Sequence, residues 1–389
     1  MGALYALDDE HADFRAVVAE FADQQLAPQV AKWNAAHELP LDAVRQMADL
    51  GLFGLAGPEE YGGAGDFTSL CIAIEEVGRV DQSLGITLEA AVGLGAGPIA
   101  RFGTTEQKQR WLPDLLAGRA LAAFALTEPE SGSDAAALQT TARLEGESWV
   151  INGAKQFITN SGTEITSIIS VSARTGVGDN GKPVISTIVV PRSAAGLTVG
   201  AAYEKLGWHA SDTHPVNLDD VRVSRDHLLG EPGRGYAQFL ATLDDGRIAV
   251  AALALGCIRA CRDMARSYAL QRHAFGGPIG GNQAVAFPIA DLGVMAHTAD
   301  ALVYSAASRR DHGGSIVELK RAAAIAKLYA TESAVTATRI ATQVFGGYGF
   351  MEEYPVARFY RDAKALEIGE GTSEVQRLVI ASALGLPVG

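Results

Sequence analysis

The period of the apolar residues changes twice along these 389 residues, and that change constrains the fold more than any single motif. Up to about residue 120 the spacing is helical: DFRAVVAEFADQQLAPQVAKW, LDAVRQMADLG and FTSLCIAIEEVGRV each place apolar residues on one helical face. Gly51 suits a helix C-terminus, and Thr104 with Gln107 forms a capping-box pattern. Between about 121 and 230 the runs become short, alternating or β-branched, as in ALAAFAL, ESWVINGAKQFIT, ITSIISVSAR, KPVISTIVVP and HPVNLDDVRV. EGE, SGT, GDNGKP and RSAAG separate them with turn chemistry. No helical patterns intervene, so the block reads as an antiparallel sheet or small barrel, not a βαβ unit. From about 234 the pattern is helical again, and RIAVAALALGCIRACRDMARSYALQRHAF is apolar around so much of its circumference that it is expected to be central.

The expected class is mainly α with a β domain: a helical domain over 1–120, a β domain over 121–232 and a helical bundle over 233–389. A net charge of −13 argues against a nucleic-acid backbone as partner. No run of 18 uncharged apolar residues appears, so no membrane span is expected. The start, MGALYALDDEHADF, lacks the basic and apolar regions of a signal peptide. Cys71, Cys257 and Cys261 cannot build a disulfide framework, which suits a cytoplasmic protein, and no metal-ligand spacing surrounds them. GAGPIA (95–100) matches a dinucleotide-binding pattern, but it follows helical sequence and contains Pro98. A helix kink is the better reading, and a Rossmann fold is rejected.

Four segments carry chemical content. LTEPESGSD (126–134) offers small residues and hydroxyls suited to a phosphate, or simply a polar turn. KQFITNSG (155–162) sets Phe157 and Thr159 two apart, a stacking surface beside a hydroxyl, or a core Phe and a strand Thr. QRHAFGGPIGGNQ (271–283) pairs Arg272 with Phe275, and FGGYGF (345–350) lets a backbone approach a ligand closely. Near the end, ALEIGEGTSEVQ holds Glu367, Glu370 and Glu374. A helix through YRDAKALEI is expected to stop at Gly369, and Ser373 with Gln376 to cap the next one. Glu370 then stands on neither helix, between two glycines, free to point into a cleft.

Together, in this order, LTEPESGSD, INGAKQFITNSG, YALQRHAFGGPIGGNQ, QVFGGYGFMEEYPVARFYRDAK and EIGEGTSEVQR resemble the signature segments of the acyl-CoA dehydrogenase flavoproteins across essentially the whole chain. The resemblance implies a helical–β–helical homotetramer with non-covalent FAD. It places the flavin ring at Phe124, Leu126, Thr127, Phe157 and Thr159, with Ser133 near the pyrophosphate and substrate. Arg272, Phe275 and Gln283 match a segment reaching a neighbouring subunit's FAD; Gln343, Gly346 and Gly347 match an adenosine contact; Thr372 and Glu374 match the last FAD segment. On the substrate side it implies Asp244, Arg247 and Gly371, with Glu370 as the catalytic base. It also implies α,β-dehydrogenation of an acyl-CoA, an enolate oxygen held by the base's own N–H and a ribityl hydroxyl, and electron transfer to an electron-transfer flavoprotein. An acyl-CoA oxidase using dioxygen and a flavin monooxygenase on the same fold are the alternatives. This chain has Phe157 where many members have Trp, and Gly369 where Tyr is frequent. Gly246 stands where some members carry the base, which leaves Glu370 without a rival. The small residues of LEAAVGLGAG (88–97) are expected to admit a bulky or branched acyl chain.

Overall fold

The computed structural model describes residues 7–178 and 181–388. The first six residues of MGALYALDDEHADF and two residues of the GDNGKP turn therefore lie outside the described residues. Helix α1 (Asp9–Phe21) starts on Asp8, whose carboxylate accepts the His11 N–H at 2.9 Å. The helical pattern that follows is not one helix. A π-turn (Ala22–Leu26) and a 3₁₀ turn (Ala27–Gln29) precede α2 (Val30–Ala36). Pro28 supplies the break, because it has no N–H to continue the ladder. Then come α3 (Leu41–Asp49), with Gly51 left-handed just beyond it, α4 (Phe67–Val80) and α5 (Gln82–Glu89). A π-helical stretch, Ala90–Ala96, joins α5 to α6 (Gly97–Phe102), and α7 (Thr105–Leu116) carries the expected reciprocal capping box. GAGPIA spans that π-to-α joint. A Cβ on Gly95 would meet the Ala122 carbonyl oxygen at 2.8 Å, so this glycine serves helix packing.

The middle of the chain forms β1 (Leu121–Ala125), β2 (Thr141–Glu145), β3 (Ser148–Thr159), β4 (Thr166–Val177), β5 (Pro183–Pro191), β6 (Leu197–Val199), β7 (Thr213–Ser224) and β8 (Leu228–Leu229). They hydrogen-bond in the order β6-β7-β3-β2-β4-β5-β8, with β1 on β4. The sheet is mixed, not wholly antiparallel: β1 runs parallel to β4, and β2 meets β4 in parallel at Thr141 and Arg174. The β2–β3 hairpin supplies the long crossover that a parallel pair requires. Ile151, Val171, Ile188, Val190, Val216 and Val221 fill the core of this domain.

Helix α8 (Gly235–Gln271) begins well before the apolar run and stops short of its end. Arg272 leaves the helix, and His273–Ala274 (β9) pairs with Gly277–Pro278 (β10). Helices α9 (Gln283–His312), α10 (Ile316–Phe345), α11 (Pro355–Leu366) and α12 (Ser373–Ala383) complete the chain. From Ile248 to Leu255, α8 is buried on every side. Residues of α4 and α5 share one continuous core with α8, α9, α10 and α11, so the first and last helical blocks fold as one body around α8. The segment Gln82–Phe102, with a mean hydropathy of 1.3, is long and apolar enough to cross a membrane, but 78% of its apolar window is buried inside the protein. Its apolarity is that of a core helix.

Candidate active site

Helix α11 unwinds at Leu366, three residues before the expected stop at Gly369. Helix α12 is capped by Thr372, whose hydroxyl accepts the Val375 N–H at 3.4 Å; Ser373 is already helical. Gln376 closes no capping box. Its side-chain amide instead donates to the carbonyls of Glu370 (3.2 Å) and Gly371 (2.8 Å). Between the helices Glu370 and Gly371 both take left-handed backbone, φ 53° and 85°. That conformation is easy for Gly371 and costs about 1–3 kcal/mol at Glu370. The turn aims the Glu370 carboxylate inward, where Oε2 is sealed from solvent without a hydrogen-bond partner.

It points at α8. A Cβ on Gly246 would lie 2.7 Å from Glu370 Oε2 and 3.4 Å from Glu89 Oε1, so two carboxyls meet over one glycine. Glu89, at the end of α5, is the larger omission from the sequence reading. It is 1% exposed, its Oε1 also has no partner, and the space opposite it is that of Gly93. A lone carboxyl in the apolar stretch LEAAVGLGAG was the available signal. Burial and the neighbouring Glu370 charge push Glu89 well above the usual carboxylate range. Burial raises Glu370 to about 7, opposed by the nearby charges of Arg247 and Lys327. Arg247 donates to Asp244 at 2.8 Å, both side chains buried within α8. Gly93 also lines a cavity of about 540 Å³ beyond Glu89, walled by Val92, Ala96, Gly97 and Thr242 and rimmed by Arg101 and Arg310.

The residues expected around a flavin ring gather at the start of the sheet. Thr127 accepts the Gln156 N–H at 2.8 Å, and Lys155 Nζ donates to the Leu126 carbonyl at 2.9 Å, bringing Leu126 and Thr127 against β3. Phe124 stacks on Phe239 of α8 with centroids 5.1 Å apart. Phe239 lies eight residues before Arg247, about 12 Å along the helix, which connects this face to the carboxyl site. Simple strand alternation does not set Phe157. The pairing of β3 with β7 shifts between Lys155 and Ile158, and Phe157 has φ 61° with its ring 60% exposed. In LTEPESGSD, Ser131 is buried and donates to the Asp134 carbonyl, while Gly132 and Ser133 remain exposed. Glu128 is not a ligand group: it is buried, paired to Lys155 at 2.8 Å.

A second group lies at the far end of α8. Arg272, Gly346, Gly347, Tyr268, Tyr348 and Met351 line an open pocket of about 600 Å³, with the Arg272 guanidinium 5.8 Å from the Tyr348 ring centre. A Cβ on either glycine would meet nothing within 4 Å. Phe275 is 98% exposed, and Gln283 and Gln343 are exposed beside the pocket without lining it. Glu374 is exposed in the first turn of α12, held below the usual carboxylate range by its own N–H and the Thr372 hydroxyl. All three cysteines are buried and free, and no metal-binding cluster occurs among the described residues.

Profiles of three domains match in order: "Acyl-CoA dehydrogenase, N-terminal domain" over 8–119, "middle domain" over 123–221 and "C-terminal domain" over 233–385. The chain belongs to the acyl-CoA dehydrogenase family. It is 41% identical to the mitochondrial short-chain specific acyl-CoA dehydrogenase of Rattus norvegicus, over 97% of this chain and 90% of the relative. Butyryl-CoA dehydrogenase from Megasphaera elsdenii superposes with a TM-score of 0.93 at 39% identity, covering 98% and 99% of the two chains. A chain in a structure described as the electron transferring flavoprotein of Acidaminococcus fermentans matches with a TM-score of 0.93 at 40% identity, covering 98% and 99%. The chain is thus an oxidoreductase of the acyl-CoA dehydrogenase class, with the helical–sheet–helical fold of that family.

Proposed function

We propose that this acyl-CoA dehydrogenase removes the α-proton of a short acyl-CoA with Glu370, yielding the trans-2-enoyl-CoA. The observation that carries it is the Glu370 carboxylate, half-buried, with Oε2 sealed from solvent and unpartnered, and raised to about 7. A weakly acidic carbon needs a base of raised proton affinity in a dry site. The Glu370 N–H, in a turn bracketed by glycines, is the donor we assign to the thioester oxygen, where negative charge develops. Asp244 and Arg247 are assigned to the CoA side, together with Ser133 and Gly371. The buried Asp244–Arg247 pair fixes the guanidinium where its charge acts on Glu370.

The family's FAD fits the residues present. Phe157 presents an exposed ring against Tyr203, the neighbouring Gln156 N–H holds Thr127, and Phe124 stacks on Phe239; with Leu126 and Thr159 these are the residues we assign to the flavin ring. Arg272, Gly346 and Gly347 offer an open pocket for a second half of the cofactor, and Phe275, Gln283 and Gln343 flank it. Thr372 and Glu374 are assigned to the same cofactor from the start of α12. A bound FAD would supply the acceptor for the hydride leaving Cβ. Phe275, with no partner ring among the described residues and almost full exposure, supports a site shared between subunits of a homotetramer. The electron acceptor is proposed to be an electron-transfer flavoprotein, the role in lipid β-oxidation, and the location cytoplasmic, in keeping with three reduced, buried cysteines. The domain divisions proposed are 120/121 and 232/233.

A short chain is favoured over a bulky or branched one. Glu89 fills only the space beside Gly93, where a Cβ would lie 3.3 Å from its Oε1, and it places a carboxyl where a bulky chain would need an apolar wall. The short-chain and butyryl specificities of the two relatives support the same reading. Glu370→Gln is expected to bind FAD normally and to lose bleaching of the flavin by butyryl-CoA without oxygen; unchanged bleaching would overturn the assignment.

A further inference from the structure

The carboxyls of Glu89 and Glu370 meet over Gly246, and chemistry needs one of them charged. Every charged group around the pair has an identifiable position. Asp244 and Arg247 come from α8, Lys327 and Glu332 from α10, Glu367 from the end of α11, and Glu89 itself from α5. Lys320, at the start of α10, acts on Asp244. Lys327 is the unusual member. It is fully buried, and its Nζ donates to the Gly371 carbonyl at 2.8 Å. The same carbonyl accepts from Gln376 at 2.8 Å. Two donors from two helices therefore hold the Gly371–Thr372 peptide, one residue beyond the left-handed Glu370.

We propose that Lys327 is a positioning residue for the reaction: it clamps the Gly371 carbonyl and supplies the nearby charge that makes Glu370, not Glu89, the ionised carboxyl of the pair. The inference rests on the reading of Glu370 as the base. Its physical reason is asymmetry. Lys327 and Arg247 both lower the proton affinity of Glu370, whereas burial and the Glu370 charge both raise that of Glu89, with no cation offsetting them. Lys327 in turn is drawn down to about 8 by burial, against the pull of Glu370. A buried ammonium that can shed its charge is retained by the Gly371 carbonyl it donates to and by the nearby Glu370 charge. Gln376 offers the same clamp without the charge, which separates the two contributions.

The test is the pH dependence of anaerobic flavin bleaching by butyryl-CoA in the FAD-loaded enzyme. In the wild type the rate rises as pH rises through about 7, because the base must be ionised. Lys327→Met is expected to move that midpoint up by at least about one unit, a tenfold slower reaction on the acid side. Lys327→Arg keeps the midpoint, and Gln376→Met lowers the plateau without moving it. An unmoved midpoint in a folded Lys327→Met, or the same shift in Gln376→Met, would overturn the proposal. Infrared titration of the buried carboxyls decides independently of turnover and of how Lys327→Met folds. One carboxyl band is expected to vanish as pH rises through about 7 and to be missing in Glu370→Gln, while a band that persists is missing in Glu89→Gln. The reverse assignment would defeat it. Bleaching by Glu370→Gln would instead defeat the underlying assignment of the base, so the two failures are distinguishable.

Discussion

Eight non-glycine residues among those described have left-handed backbone, and Phe157, Phe275 and Glu370 are three of them. Such conformations persist where the surrounding structure forces them, and they gather at sites that must aim a side chain. At Glu370 the forcing groups are Gln376 and Lys327, which hold the two carbonyls of the turn. Gly246 completes the arrangement from the other side. The sequence marked it as a position that cannot carry a base; the structure adds that any Cβ there would press on the Glu370 carboxylate. Gly246→Ala puts a methyl 2.7 Å from Glu370 Oε2. The flexible carboxylate will move, so the melting temperature is expected to stay within a few degrees of wild type. A displacement near 1 Å is enough to slow flavin reduction on the order of 100-fold, measurable by stopped flow.

At the scale of elements, the loop between β1 and β2 is tied to β3 by one buried pair. Lys155 Nζ reaches Glu128 Oε1 at 2.8 Å and the Leu126 carbonyl at 2.9 Å, while Glu128 also accepts from the Thr140 N–H at 3.0 Å. Burial draws Lys155 down to about 8, which marks how fully the pair is withdrawn from water. Removing one partner of such a pair leaves an uncompensated charge, at a cost of about 3–5 kcal/mol. Lys155→Met is therefore expected to lose that much in denaturant unfolding, and FAD affinity should fall with it because Leu126 and Thr127 lose their anchor. Glu128 looked like part of a ligand loop in the sequence; only the fold shows it turned inward. The caps were easier to read. The Thr104–Gln107 box formed as expected because all of its atoms are local, whereas Gln376 went to the Glu370 turn, which lies outside its own helix.

Across the whole molecule, helices from both ends of the chain share one core around α8, and the sheet keeps its own. Phe287 and Val294 on α9 and Ile316 and Val317 on α10 nevertheless stay exposed. Exposed apolar residues of this size suit association surfaces, in keeping with the proposed tetramer. Phe287→Asp is expected to sediment as a smaller species than wild type and to retain less FAD, because Arg272, Phe275 and Gln283 would no longer reach a neighbouring cofactor. A variant of wild-type size with weakened FAD binding would remove assembly as the reason.

The sequence by itself determined the helical–sheet–helical order, since a period of 3.6 or 2 is a local property that each segment carries alone. It also determined the isolation of Glu370, since glycines on both sides prevent a continuous helix. Tertiary structure decided what those local rules cannot express. The parallel β1–β4 pair needed partners distant in sequence. So did the meeting of Glu89, Glu370, Arg247 and Lys327, which come from four separate segments and converge only when α5, α8 and α10 pack together. A carboxyl's proton affinity is set by what surrounds it in space, so the chemistry of Glu370 became legible only after the helices had closed on it.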